Sequence, residues 1–170
     1  ALVDYHDPIE IIKHLMIGSE GTLGFIAEIT YNTVIEHPNK ASALLVFADI
    51  EQASKAVTTL SKTPVAAVEL MDGRALRSVA DKPGMPAFMP SLDLEAAAIL
   101  VESHASSQQD LDLQCKSILD ALADYTIVES VPFTSDPKTV ATLWGIRKGM
   151  FPAVGAVREV GTTVIIEDVA

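Results

Sequence analysis

A cluster of glycines marks the first stretch of the chain that could bind a ligand through its backbone. Gly18, Gly21 and Gly24 fall within seven residues, and the chain then runs directly into an apolar segment. Such a loop lets backbone amides approach a ligand closely, and it equally suits a tight turn. The spacing matches neither a phosphate-binding loop with its lysine nor a glycine motif that opens a dinucleotide-binding helix. Spacing alone therefore leaves both a turn and a ligand-binding loop open.

The second candidate is an arginine on the inward face of a predicted helix. Ser135 or Asp136 followed by Pro137 is a typical helix start. The apolar stripe that follows comprises Val140, Leu143, Trp144 and Phe151. Arg147 falls on the same face, where a guanidinium needs an anion as its partner and can bind a carboxylate through two parallel hydrogen bonds. That anion is either an internal Asp or Glu or the carboxylate of a ligand.

The sequence gives little indication of a metal site or of a site built from cysteine thiols. The four histidines, His6, His14, His37 and His104, show no spacing typical of metal ligands. Cys115 is the only cysteine, so neither an intrachain disulfide nor a zinc or iron–sulfur site built from several thiolates can form within these residues. We therefore expect no metal site in the chain.

The elements that must position these residues follow a recognisable order after a break at His37–Lys40. Short apolar runs alternate with helical stripes that begin at Asp49 and Ser107. The predicted strands cover residues 43–47, 65–71, 95–101 and 127–131, with a further short helix over 72–80 and a proline-rich loop after it. This is the βαββαβ order of a ferredoxin-like α+β fold, an antiparallel sheet with two helices on one face. The opposite face must then meet something else, which is solvent or a partner subunit in a free-standing domain and the roof of a cleft in a larger protein.

The residues before this break predict a separate piece of structure. Asp7 and Pro8 form a typical N-cap and first position of a short helix. From Phe25 to Ile35 apolar residues alternate with polar ones, which predicts a half-buried strand. We expect this strand to lack its original sheet and to leave an exposed edge that can pair with another chain, giving a homo-oligomer.

Composition and charge exclude several classes of function. The 170 residues include 23 acidic and 12 basic ones, a net charge of −11, and 49% are hydrophobic. A chain this acidic is a poor ligand for nucleic acid or an anionic membrane, whose affinity comes from neutralising phosphate charge. The start of the chain lacks the features of a signal peptide, and with one cysteine this predicts a cytoplasmic protein. Both ends look like points within a longer sequence.

The stretch from Ile17 to Glu28, IGSEGTLGFIAE, resembles the segment that ends the FAD-binding domain of FAD-linked oxidases of the vanillyl-alcohol oxidase type. The resemblance implies that residues 1–38 are the C-terminal remnant of that domain and residues 39–170 a partial cap, or substrate, domain with a ferredoxin-like core. It also implies backbone contacts to FAD from this loop. The residues concerned are Gly18, Ser19, Glu20, Gly21, Thr22, Gly24 and Ile26.

Three further motifs are similar to the same family. The run LWGIRK, residues 143–148, resembles the L-W-x-x-R-[EK] helix of the cap domain, which implies that Arg147 binds the substrate carboxylate. Glu69 and Asp72 match an E-x-[ML]-D motif, where we expect a structural role and a cap for the following helix. Glu167-Asp168-Val169 resembles the end of a strand that returns toward the cleft, although a solvated strand end fits these acids better.

The resemblance implies the activity of a larger enzyme. In this family a 2-hydroxy acid, here of the D-lactate or D-2-hydroxyglutarate type, is oxidised by hydride transfer to FAD, and some large bacterial members carry an iron–sulfur region. The histidine motif that supplies the family's metal ligands and acid–base group is missing from these residues, so we expect no catalytic residue here and an inactive fragment that needs the remainder of its own chain. The alternative is a ferredoxin-like module for ligand sensing or oligomerisation.

Overall fold

A computed structural model describes residues 2–163 of the chain. Contacts within the chain divide it into two units, one formed by residues before 36 and the other beginning at Glu36. Glu167, Asp168 and Val169, which the sequence compares with a returning strand, lie outside the described residues.

The first unit begins with a helix whose start agrees with the sequence. Helix α1 spans Pro8–Met16, and the Asp7 side chain accepts hydrogen bonds from the backbone N–H groups of Ile9 and Glu10 at 2.9 and 3.1 Å. Pro8 occupies the first helical position, where its missing N–H has no consequence. The predicted cap at Asp7 is therefore confirmed.

The predicted strand from Phe25 to Ile35 is wrong. Residues 24–37 adopt no regular secondary structure, and the Phe25 side chain is 92% exposed. Alternation of polar and apolar residues indicates which face of a strand is buried, but a strand also needs a hydrogen-bonded neighbour. No strand among residues 2–163 pairs with this segment.

The second unit contains the predicted order of strands and helices, with one more helix at its end. Its strands are β1 (Asn39–Phe47), β2 (Ala67–Asp72), β3 (Ala97–Ala105) and β4 (Ile127–Thr134), and its helices are α2 (Ile50–Leu60), α3 (Gly73–Val79), α4 (Gln108–Ala121) and α5 (Pro137–Val157). A short 3₁₀ turn, Met89–Ser91, interrupts the proline-rich loop. The side chains of Asp49 and Ser107 cap α2 and α4, as the sequence predicts.

The four strands form one antiparallel sheet in the order β2-β3-β1-β4. This is the strand order of a ferredoxin-like fold, in which the two βαβ halves interleave so that their first strands lie side by side at the centre. The predicted α+β fold class is therefore confirmed. Strand β1 is buried along nearly its whole length because it has a neighbour on each side and helices on both faces.

Helices α2 and α4 cover one face of the sheet, as expected. Alternate residues of β1 and β3 pack against them. The buried residues of this layer are Ala43, Leu45, Phe47, Ala53, Ala56, Leu60, Ala97, Ile99, Val101, Ile118 and Leu122.

The opposite face is not open, which corrects the expectation from the sequence. Leu44, Val46 and Leu100 of the sheet are fully buried there against α3 and α5. The chain supplies this second layer from two places, the loop region between β2 and β3 and the helix after β4. Because apolar residues occupy both faces of β1 and β3, a single helical layer would leave half of them in water. The face on which the alternative of an open sensing or oligomerising module depends is therefore covered.

Candidate functional site

Two glutamates lie on the face of the sheet that α5 covers. Glu69 is on β2, opposite Leu100 of β3, and Glu102 is two residues further along β3. Residues two apart in a strand point to the same side, so both acids share the face on which Leu100 packs against α5. An acid under a helix needs hydrogen-bond donors, and α5 provides one for each.

Helix α5 begins as the sequence predicts, and its buried stripe agrees with the prediction at Leu143 but not at Phe151. The Asp136 side chain accepts from the backbone N–H of Thr139 at 2.8 Å, which makes Asp136 the cap. Leu143 and Ile146 are the buried residues of the helix, whereas Phe151 is 59% exposed. The predicted inward position of Phe151 is therefore wrong, because the buried stripe advances by three residues from Leu143 and leaves position 151 on the outer side.

Arg147 donates from Nε to the Oε2 atom of Glu69 at 3.0 Å. Both side chains are about one third exposed, at 33% and 32%, so the pair lies at the boundary between the sheet–helix layer and solvent. The sequence left an internal acid and a ligand carboxylate open as partners, and the structure identifies Glu69 as an internal partner.

The second acid, Glu102, is the centre of a hydrogen-bond network that sequence analysis missed. Its Oε2 atom accepts from Ser42 Oγ at 2.6 Å and from Trp144 Nε1 at 2.5 Å, while Oε1 lies 2.6 Å from His104 Nε2. The Trp144 indole also reaches Ser42 Oγ at 3.3 Å. Glu102 is only 12% exposed, and every buried polar side-chain atom among the described residues has a partner.

Burial and hydrogen bonding act in opposite directions on the pKa of Glu102. Burial alone would raise the pKa of this carboxyl, but hydrogen bonds from Ser42, His104 and Trp144 stabilise the charged form and lower the pKa below the usual glutamate value. Glu102 is therefore a carboxylate that fastens the Trp144 indole of α5 to the sheet.

The network left only a weak signal in the sequence. Glu102 interrupts an apolar strand on a face shared with Leu100, and a charged residue in such a place requires several donors. Its donors lie far away in sequence, on β1 and α5. His104, considered only as a metal ligand, instead contacts Glu102 as its neighbour two residues along the strand.

Asp72 has the structural role that the sequence predicts. Its side chain accepts from the backbone N–H of Ala75 at 2.7 Å and caps α3. Gly73 follows at a crowded position, where a Cβ atom would lie 2.6 Å from the carbonyl oxygen of Ala96. In the E-x-[ML]-D motif, Glu69 is thus a partner of Arg147, and Asp72 is the cap of α3.

The glycine loop of the first unit has an exposed backbone in left-handed conformations. Gly18, Glu20 and Gly21 have φ values of 72°, 49° and 79°. The loop is closed by Ser19, whose carbonyl oxygen accepts from the backbone N–H and the hydroxyl of Thr22 at 2.8 and 2.6 Å. Turns of this kind, in which successive backbone N–H groups lie close together, form anion-binding concavities in other proteins.

A groove within the first unit begins at this loop. Its volume is about 690 Å³, within the size range typical of small-molecule sites, and Gly18 and Ile26 are both on its wall. The other lining residues are Lys13, Met16, Ile17, Glu28, Ile29, Thr30 and Tyr31. The structure thus brings two of the seven predicted cofactor-binding residues to one groove, while Ser19, Glu20, Gly21, Thr22 and Gly24 are not among its lining residues.

Comparison with known proteins identifies the family. Residues 36–170 match the family described as "FAD linked oxidases, C-terminal domain". The chain belongs to the FAD-linked oxidases. The matched range contains both glutamates and α5, whereas the glycine loop precedes it. No curated protein shows significant sequence similarity to the chain.

One solved structure supports the fold of this FAD-linked oxidase chain. A structure titled "alkyldihydroxyacetonephosphate synthase in P1" is 20% identical, with a TM-score of 0.52 over 84% of the chain. A second, "alkyldihydroxyacetonephosphate synthase in P212121", is 19% identical, with a TM-score of 0.46 over 78% of the chain. The chain spans only 28% of the length of each, so the similarity concerns one part of a longer fold.

The glycine loop fits contact with a flavin cofactor, which the family implies. A Cβ built on Gly18 or Gly21 meets nothing within 4 Å, so a ligand could approach the backbone of either residue. Backbone amides in such a loop can donate to flavin or phosphate oxygens.

The described part of the FAD-linked oxidase chain has neither a cluster of metal-ligating side chains nor a helix suited to span a membrane. No group of three or more His, Cys, Asp and Glu side chains within residues 2–163 is arranged to bind a metal ion. Across the same residues no helix is both long and apolar enough to cross a bilayer.

Proposed function

We propose that this chain contributes the substrate-binding side of a FAD-dependent enzyme that oxidises a small 2-hydroxy acid, and that Arg147 binds the substrate carboxylate. The observation that supports this proposal is the position of Arg147. It lies on α5 within the matched family domain, one third exposed, and Glu69 holds it at Nε. The guanidinium would bind a ligand carboxylate in the planar paired geometry that arginine forms with carboxylates.

The flavin would be contacted by the loop that the resemblance selects. We propose that the backbone of Gly18, Gly21, Gly24 and Ile26, together with Ser19, Glu20 and Thr22, forms one side of its site. FAD supplies the chemistry of accepting the substrate hydride. The loop's part is to hold and orient the cofactor through its backbone amides.

The remainder of the enzyme is proposed to come from the same protein, outside this chain. This chain spans only 28% of the length of the structural neighbour, which supports the proposal that further parts lie outside it. A base for the substrate hydroxyl and the rest of the flavin site would lie there, so we expect the purified chain to be colourless and inactive. An iron–sulfur region in the parent protein and a cytoplasmic location remain predictions from the sequence, as does pairing between copies through an exposed edge.

The test is an Arg147→Lys variant of the full-length protein containing this chain. Lysine keeps the charge and loses the paired fork, so kcat/KM for D-lactate or D-2-hydroxyglutarate should fall about 10- to 150-fold, equivalent to about 1.5–3 kcal/mol for a hydrogen bond to a charged group. Flavin content and melting temperature should stay within a narrow range of the wild type. A large fall in melting temperature with unchanged kinetics would show that Arg147 is only the ion-pair partner of Glu69.

A further inference from the structure

We infer that Glu69 is a positioning residue for Arg147, fixing the plane of its guanidinium for the ligand carboxylate. This inference rests on the proposed function, because it concerns the same arginine. Nothing in the sequence motif distinguishes this role from a purely structural one. Two observations support the positioning role: Glu69 binds the Nε atom of Arg147, and both residues lie on packed secondary-structure elements.

The bond from Glu69 reaches the nitrogen that controls orientation. Nε is the point where the guanidinium joins the side chain, and it lies 3.0 Å from Glu69 Oε2. A bond at that atom limits rotation of the planar group. An arginine side chain that is already ordered loses less conformational entropy when the ligand arrives, which lowers the cost of binding.

Both partners are attached to rigid elements. Glu69 is on β2, in register with Leu100 of the adjacent strand, and its backbone is set by the sheet. Arg147 lies on α5, whose residues Leu143 and Ile146 are buried against the sheet. A geometry held from a strand on one side and a packed helix on the other is more precise than one built on loops.

The negative charge of Glu69 and its orienting effect on Arg147 change ligand affinity in opposite directions. The direction of the change in a variant therefore tests the inference. A second carboxylate beside the arginine repels an anionic ligand and weakens its binding. If Glu69 acted through charge alone, removing the charge and displacing the carboxylate would both tighten binding. If it acts by orienting Arg147, removing the charge while keeping the acceptor is harmless, and displacing the acceptor weakens binding.

Two variants separate these effects. Glu69→Gln keeps an oxygen acceptor at the same distance along the side chain and removes the charge. Glu69→Asp keeps the charge and withdraws the acceptor by one methylene. Trp144→Phe is the matched control, since it loosens the same helix one turn away without touching the guanidinium or its acceptor.

The measurement is the dissociation constant for oxalate, determined by titration calorimetry on the full-length FAD-loaded protein. Oxalate has the carboxylate of a 2-hydroxy acid but no hydrogen to transfer as hydride, so binding is measured apart from chemistry. We expect Glu69→Asp to weaken oxalate binding about three- to tenfold, the range for ordering one flexible side chain. Glu69→Gln should bind as tightly as the wild type or more tightly, and Trp144→Phe should lower the melting temperature with unchanged oxalate affinity.

Steady-state kinetics with D-lactate or D-2-hydroxyglutarate provide the second readout. Glu69→Asp should raise KM by a similar factor and leave kcat within about twofold, because positioning of a carboxylate anchor affects binding before the chemical step. A purely structural pair would change the melting temperature in these variants without moving KM.

The outcomes distinguish failure of this inference from failure of the proposed function. If Arg147→Lys leaves both oxalate affinity and kcat/KM unchanged, the arginine does not bind the substrate and both proposals fall. If Arg147→Lys weakens binding but Glu69→Asp does not, the proposed function stands and the positioning role is refuted. Equal weakening by Glu69→Asp and Trp144→Phe would overturn it too, since general loosening of α5 would then explain the effect.

Discussion

Replacing Trp144 with phenylalanine tests how α5 is fastened to the sheet. The substitution keeps an aromatic ring in the half-buried position and removes the indole N–H that donates to Glu102 at 2.5 Å. Glu102 then retains Ser42 and His104 as partners. The variant therefore removes one donor from a mostly buried carboxylate and leaves the fold's other contacts in place.

The expected loss can be estimated from the type of bond. Hydrogen bonds to charged groups contribute about 1.5–3 kcal/mol, and the two remaining donors compensate part of the loss, so we expect about 2 kcal/mol. For a chain of this size, each kcal/mol lost from the free energy of unfolding lowers the melting temperature by about 2–4 °C. The melting temperature of Trp144→Phe should accordingly fall by about 4–8 °C at neutral pH.

The pH dependence follows from the lowered pKa of Glu102. A carboxyl whose pKa is lower in the folded state contributes stability above its usual value of 4.5, and that contribution is lost as the pH falls through the folded-state pKa. The difference between the wild type and Trp144→Phe should therefore be largest near pH 7. It should shrink below that usual value, where protonation turns the bond to Trp144 into a weaker neutral one.

Thermal unfolding followed by circular dichroism at pH 7 and pH 3.5 measures this difference. A Glu102→Gln background provides the control, since the charged acceptor is absent there and the cost of Trp144→Phe should drop below about 1 kcal/mol. An equal cost in both backgrounds, or a difference independent of pH, would refute the reasoning that a charged Glu102 fastens the helix.

Other predictions concern glycines. Gly73→Ala should destabilise the chain by about 1–3 kcal/mol, because the new Cβ would be forced against the carbonyl oxygens of Leu94 and Ala96. Gly145→Ala, in open space on α5, should instead raise the free energy of unfolding by about 0.5–1 kcal/mol, and denaturant titration checks both. In the full-length protein Gly21→Ala should reduce retained flavin absorbance after dialysis, since its φ of 79° costs an alanine about 1–2 kcal/mol, and unchanged retention would speak against the proposed loop contact.

The parts of the fold that the sequence predicts are those encoded by neighbouring residues. Asp49 and Ser107 start helices whose apolar stripes follow within the same turns, and the strands between them are apolar runs of ordinary length. From these local signals the βαββαβ order follows, and the topology rules for such an order lead to the observed sheet.

The errors arise where distant parts of the chain decide the outcome. The segment beginning at Phe25 has the alternation of a strand, but pairing depends on a neighbour that the pattern does not reveal. The covered second face depends on α5, which begins after the last strand. Its buried stripe runs through Ile146 rather than Phe151 because the sheet residues it meets, Leu44 and Leu100, determine which side of the helix is inside.

The candidate site divides in the same way. Arg147 was predicted on a helix that contacts an anion, and Asp72 as a helix cap, because both follow from spacing. The partner Glu69 and the network around Glu102 depend on strand register and on contacts from β1 and α5. Sequence spacing contains no information about which acid lies beneath which helix residue.

The central position of β1 determines when the second unit can assemble during synthesis. This strand leaves the ribosome first, yet its two neighbours, β3 and β4, are translated much later. Until then its apolar residues have no partner on either edge, and such long-range pairing is slow to form. A nascent chain that stops between β3 and β4 would expose one edge of β1 to intermolecular pairing. The sheet of this unit can therefore be completed only after β4 has been synthesised.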